Sequence, residues 1–499
     1  MTKKKKSNAK AIVGYSVLCL LLVIFIVFMA IGAWNQGSDL VKDEVLSNAL
    51  SVYFNKAPRE LTKEDLATIE YMALDGNGGV YLGDKAVLKA ELEEDETVVD
   101  NQIINDMTGL LAGQLNNPVN SQAKSFSYSA HFNFEELASL LPNLKYLNVV
   151  AENRIITSGK QIAVAKNLEH LVIAAPNLSD LDALSALTSL QDLDLTGVKT
   201  EDVSFVSSMT KLVDLNLNST GVKDLAPLAS LSSLKTLSAT ANGITSVNGL
   251  EKLTALTSLN LNNNSITDVA PLASLTSLET LKLDNNKNIT SLDALAALTS
   301  LKTLSATANQ ISSVAALSPL KGLTELTLDN NALTDLKGVE GMTELITLHA
   351  TSNSIADLSA LSGLTKLANL YLSANKIVDV TPLETVTALN VLELDDNEIA
   401  DVTVLAKLTK LTTLDVSKNM LTEEALKVLD ALKSDENSCT IVSIEQKLET
   451  EETTEGSEGE HEHDHDHDHD VDSEADPEGD KEETSEGTEI AGPVAPTNN

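Results

Sequence analysis

Leu256-Thr257-Ser258-Leu259-Asn260-Leu261-Asn262-Asn263-Asn264-Ser265-Ile266 is the stretch that decides the fold. Leu259 and Leu261 alternate with polar residues, the pattern of a short strand with one buried face. Val269, Leu272 and Leu275 follow at intervals of three, which suits a tight 3₁₀-like return. The asparagine of this frame recurs at Asn242, Asn264, Asn286, Asn309, Asn331, Asn353, Asn375, Asn397 and Asn419. Seven of the eight steps between them are 22 residues and one is 23. One such unit cannot bury its own leucines, so neighbouring units must stack into a continuous core. The asparagine stands where the chain leaves the strand. Its amide has donors and acceptors enough to satisfy backbone groups of adjacent turns.

Working outward, the frame recurs upstream at Leu234, Leu212, Leu190, Leu168 and Leu144, with Val198 and Thr220 replacing the asparagine in two copies. A degenerate zeroth copy lies at Ile69, Met72, Leu74 and Asn77. Thirteen clear strands are therefore expected. Asp224, Asp268, Asp335, Asp357, Asp379 and Asp401 recur after the asparagine turn, placed to cap the next tight turn. The 23-residue step comes from one extra residue after Asn286, which moves Ile289 into the usual slot and reads as a bulged turn.

These 22-residue units, such as Leu367, Leu370, Leu372, Asn375 and Ile377, resemble those of internalin-type bacterial leucine-rich-repeat proteins. Leu61-Thr62-Lys63-Glu64-Asp65-Leu66 resembles the start of the N-terminal cap of that family. The resemblance covers roughly three fifths of the chain and implies an extracellular binding module, without naming what is bound. The chain departs from the family in lacking a Leu-Pro-x-Thr-Gly sorting signal and an evident β-sandwich after the repeats. The expected fold class is an α/β repeat solenoid. It comprises a curved parallel β-sheet with a 3₁₀ or turn convex side, an N-terminal helical cap, one transmembrane helix and a disordered C-terminal tail.

The termini carry their own signals. Lys3, Lys4, Lys5, Lys6 and Lys10 precede an uninterrupted weakly polar to apolar run from Ala11 to Ala33, with Trp34 at its end. That length spans a hydrocarbon core of about 30 Å. It exceeds the roughly 7–15 apolar residues of a cleavable signal. The expectation is a signal anchor with the lysines cytoplasmic and the remainder outside. Cys19 lies in the expected span and Cys439 near the last strand, so they cannot pair, and a disulfide-free exterior fits a Gram-positive-like envelope. The expected organisation is a basic segment 1–10, anchor 11–34, cap 35–78, inserted α+β element 79–135, repeats with a C-terminal cap 136–446, and tail 447–499. Within the C-terminal cap a helix is expected at Glu423–Leu432 and a last strand at Thr440–Ile444. The insert is expected to cover Tyr146, Val150, Val172 and Ala174, unusually apolar for concave positions.

The tail holds 20 acidic residues against Lys447 and Lys481, nearly half of the net charge of −38, and too few apolar residues to offset ordering. Such an exterior argues against nucleic acid and anionic lipid as partners. His461, His463, His465, His467 and His469 alternate with Glu462, Asp464, Asp466, Asp468 and Asp470, a donor set suited to Zn²⁺. Metal capture and a plain solvated spacer remain alternative readings of this run, and no cofactor is required by either.

No catalytic set is legible, so the chain is read as a non-enzyme. His131 and His170 are isolated and read as structural. The positions between buried leucines face the concave side, and most are small and polar. His349, Tyr371 and Glu393 share one concave position in three consecutive repeats, near Asp329, with Lys282 further along. These five are the candidate ligand-binding residues, for a protein or glycan at the cell envelope or on a host surface. A chance trio on a solvated sheet is the competing reading. The alternative function is an envelope zinc-scavenging protein with the solenoid as scaffold.

Overall fold

The computed structural model describes residues 40–41, 47, 50–51, 54–74, 80–83, 134–149, 156–434, 439–444 and 446. The expected anchor, Asn77, His131, Val150, most of the insert and the acidic tail lie outside these residues. Among the described residues no helix is long and apolar enough to cross a membrane.

The repeats build one sheet in which sequence neighbours are spatial neighbours. Its strands run from Tyr71–Leu74 through Tyr146–Val149 to Thr440–Val442, every neighbouring pair of these parallel. The thirteen expected strands, Tyr146–Val149 to Thr413–Asp415, are all present. The zeroth copy adds Tyr71–Leu74, and Val80–Gly83 pairs with it antiparallel at the edge. In the three-residue strands one central residue, such as Leu259, points into the core.

The return path is 3₁₀, as the spacing of three predicts. In the coil after Asn264, Ala270–Ser274 forms a 3₁₀ turn, with Pro271 where its missing N–H costs nothing. Leu261, Ile266, Leu272 and Leu275 are fully buried. Each such burial is worth roughly 1.5–3 kcal/mol, and only the neighbouring coils supply it. The six predicted capping aspartates each accept the backbone N–H two residues on, at 2.8–3.0 Å. Asp202 does the same, and Ser246, Ser291 and Ser313 take the role with their hydroxyls.

The asparagine ladder bonds as its chemistry requires. Asn264 Nδ2 donates to Leu261 O in its own coil and to Ala239 O in the preceding one, both at 2.9 Å. Its Oδ1 accepts the N–H of Ile244 at 3.0 Å. The residue before each rung adopts left-handed backbone, from Ser219 to Lys418. The bulge after Asn286 is real: Lys287 is left-handed at φ 61° in addition to Asn285. One rung there lacks its acceptor bond: Asn309 Oδ1 is buried without a hydrogen-bond partner, while its Nδ2 still donates to Leu283 O and Ala306 O.

Toward the N-terminus, Leu50, Leu61, Leu66, Ile69 and Met72 belong to the same buried core. Thr62 and Asp65 form the expected capping box on Lys63–Leu66, each accepting the other's N–H. At the far end the helix Glu423–Ser434 buries Ala425 and Leu429, running slightly beyond its expected end. The last strand stops at Val442, two residues short of the expected Ile444.

Candidate functional site

Because side chains alternate along a strand, the residues flanking each buried leucine form continuous rows across the concave sheet. The middle row contains Asn260, Lys282, Ser305, Thr327, His349, Tyr371, Glu393 and Asp415 in register. Parallel neighbours lie about 4.8 Å apart, so His349, Tyr371 and Glu393 are adjacent, as the sequence frame implies. The His349 and Tyr371 rings stack with centroids 4.1 Å apart and planes 6° from parallel. The two rings therefore stand face to face across adjacent strands, and the second face of Tyr371 turns along the row toward Glu393.

Carboxylates surround the ring pair. Asp329 sits one row over and accepts the Thr351 N–H at 2.7 Å. Burial raises its carboxyl above the ordinary value, with Asp284 adding to the effect and the Thr351 bond opposing it. On the other side burial also raises Glu393, reinforced by the like charges of Asp395 and Asp415. The Tyr371 hydroxyl is raised by burial and by Glu393. Asp395 is held by the Ser373 hydroxyl, and Asp415 accepts both the N–H and the hydroxyl of Ser417. Lys282 is not part of this cluster. It lies three strands from His349, about 14 Å at sheet spacing.

A second aromatic row was missed by sequence reasoning. Tyr71, Tyr146, His170 and Asp192 are in register in the row preceding the buried leucines. The tyrosine rings stack at 4.9 Å, His170 leans on Tyr146 at 6.2 Å, and His170 Nδ1 bonds Asp192. His170 is thus tied into the sheet, as its structural reading expects. A signal was available: each of the four stands two residues after the first apolar position of its frame, Ile69, Leu144, Leu168 and Leu190. Tyr146 is buried; Val172 and Ala174 are half-buried. Residues 84–133 of the insert expected over them lie outside the described residues, and its Val80–Gly83 strand pairs at the sheet edge.

Among the described residues no group of three or more His, Cys, Asp or Glu side chains could hold a metal ion. The tail histidines lie outside them. The surface cavity of about 230 Å³ lined by Pro142, Lys145, Asn167 and Gln191 is shallow and polar.

Comparison with known proteins agrees with this architecture. A family model described as leucine-rich repeats in two copies matches residues 254–297 and 343–385. An internalin of Listeria monocytogenes of known structure is 32% identical, with a TM-score of 0.57, over 61% of this chain and 88% of that one. A leucine-rich-repeat protein of Leptospira interrogans is 24% identical, also with a TM-score of 0.57, over 62% of this chain and 80% of that one. The second likeness speaks for the fold alone. No curated protein matches the chain.

Proposed function

Since the chain belongs to the internalin-type family of bacterial leucine-rich-repeat proteins, we propose that it is a membrane-anchored, outward-facing module that binds a protein partner. Its concave sheet is the binding surface. In this reading residues 11–34 hold it in the membrane and 35–78 close the N-terminal end of the core. Family membership supports protein binding in general. The observation that carries the assignment of the site is the stacked His349–Tyr371 pair continuing in register into Glu393. Aromatic side chains dominate binding hot spots, and they are only 3% of this chain. A tyrosine with a histidine ring stacked on it gives the C-terminal half of that face a large, rigid contact area.

A photo-crosslinking residue at position 371, compared with one at Ser230 on the convex side, tests this on intact cells. A discrete adduct from 371 and none from 230 is expected, identified by mass spectrometry. Equal labelling from both, or none from either, would overturn the assignment, and an adduct that proves to be glycan would replace the partner class.

The alternating histidines of the tail favour a second reading, capture of zinc at the envelope, with the solenoid as scaffold. It would be supported by a zinc-dependent growth defect on deleting residues 461–470 while repeat-dependent binding persists.

A further inference from the structure

We infer that the partner segment seated on the C-terminal half of the concave face is a polypeptide presenting arginine, its guanidinium stacked on the Tyr371 face that turns toward Glu393 and forked onto that carboxylate. This deepens the reading of the concave sheet as the binding surface and depends on it. Three observations converge. First, the His349 and Tyr371 rings stack face to face at 4.1 Å, which leaves the second face of Tyr371 turned along the row toward Glu393. A planar cation stacks on such a face, and tyrosine offers the negative ring quadrupole that attracts it. Second, the next positions in the same row are Glu393 and Asp415, with Asp395 beside them. Asp395 and Asp415 are engaged by Ser373 and Ser417. The Glu393 carboxylate makes no hydrogen bond or ion pair among the described residues, and so is available to a bidentate donor. Third, the charge of this half of the face is uncompensated. From Thr303 onward the paired concave positions carry Glu325, Glu393 and Asp415 and no lysine or arginine.

The chemistry discriminates among cations. A divalent metal needs several converging ligands, which this patch does not assemble. A lysine ammonium would find the carboxylate but has no planar face to stack on the tyrosine ring and no fork to match the carboxylate. The mutual repulsion of Glu393 with Asp395 and Asp415 is relieved when the cation arrives. Binding therefore weakens on acidification, as Glu393 takes up a proton.

The probe is a fluorescently labelled glycine peptide carrying an arginine pair, titrated into the full chain and read by anisotropy. Its counterparts carry lysine, or citrulline, which keeps the planar shape without the charge. Binding is expected to follow arginine, then lysine, with none for citrulline. Tyr371→Ala and Glu393→Gln should each weaken the arginine peptide by about three- to tenfold. Asp293→Asn on the convex side should leave it unchanged. Glu393→Lys should reject the arginine peptide and accept an aspartate one, which also covers the case in which the alanine variant misfolds. Equal loss in Asp293→Asn, or no loss in Tyr371→Ala and Glu393→Gln, would show general attraction to an acidic chain and overturn the proposal. If crosslinking from position 371 captures a partner while the arginine peptide fails, the concave site stands and this ligand class falls.

Discussion

Asn397 and Ile377 lie in neighbouring coils, and the Asn397 Oδ1 accepts the Ile377 N–H at 3.1 Å. The same amide donates to Leu372 O at 3.0 Å in the preceding coil and to Leu394 O at 2.9 Å in its own. Asn397 is fully buried, so water cannot replace these bonds. Asn397→Ala should therefore orphan backbone groups at about 1–3 kcal/mol each. A lower denaturant midpoint and faster hydrogen exchange at the Ile377 amide are the expected readouts. Asn331 makes the same pattern of bonds but is only half-buried, so Asn331→Ala should cost less. Equal effects at the two positions would mean that burial does not set the strength of a rung.

The residue before each rung offers a way to stabilise the fold. Asn263, Asn285 and Asn330 adopt left-handed backbone at φ 55–57°, and Ala308 is held at φ 56° in the equivalent place. A left-handed conformation costs an alanine about 1–2 kcal/mol, which asparagine partly avoids. Ala308→Asn should gain about 0.5–1 kcal/mol and raise the melting temperature. An unchanged or lower temperature would show that Ala308 carries no such strain.

How far the sequence could be read depended on whether a feature recurs in the frame. The ladder, the capping aspartates and the 3₁₀ returns recur, and each follows from one side chain's chemistry repeated at one slot. His349, Tyr371 and Glu393 were legible because strict 22-residue spacing fixes sheet register. Their ring stacking and the surrounding Asp395 and Asp415 were not, since those depend on rotamers and on an adjacent row. The row from Tyr71 to Asp192 was hidden for another reason. A step of 75 residues separates Tyr71 from Tyr146 and interrupts the period, so only the shared frame position, and not a register count, tied the two together. The extra residue after Asn286 was visible as a count. That it would leave Asn309 Oδ1 unbonded needed the coil geometry.

Acid should act on this solenoid in two opposing ways. Asp401, Asp357 and Asp202 are held below the ordinary carboxylate value by bonds from the turns they cap. Their contribution is present above that ordinary value and is lost as pH falls through the lowered ones. Asp329 behaves oppositely. Burial raises it, so the folded state binds its proton more tightly, and its penalty, full at neutral pH, disappears on acidification. Asp329→Asn should keep the acceptor for the Thr351 N–H, as Asn218 does for Thr240 and Asn262 for Asp284. The variant should be more stable than the parent at pH 7. That advantage should shrink as pH falls from the raised value toward the ordinary one. Parallel stability curves for parent and variant would rule out a charged, desolvated Asp329.

The tail prediction rests on sequence chemistry alone. His461, His463, His465, His467 and His469 alternate with carboxylates, which places imidazoles on one side of an extended chain. Neutral imidazole and carboxylate together suit Zn²⁺. The chain must order to bind, so affinity should be modest. Imidazole ligates only when deprotonated, and its reference pKa is about 6.5. Zinc uptake should therefore be strong at about pH 8 and largely lost at about pH 5. Calorimetry on a peptide spanning residues 455–475 measures this directly. A matched peptide with the five histidines changed to asparagine keeps every acidic residue. Equal zinc affinity in the two peptides, or an affinity that does not fall with acid, would assign binding to the carboxylates. The tail would then be an acidic spacer, and the zinc-capture reading would fail while the concave site stood.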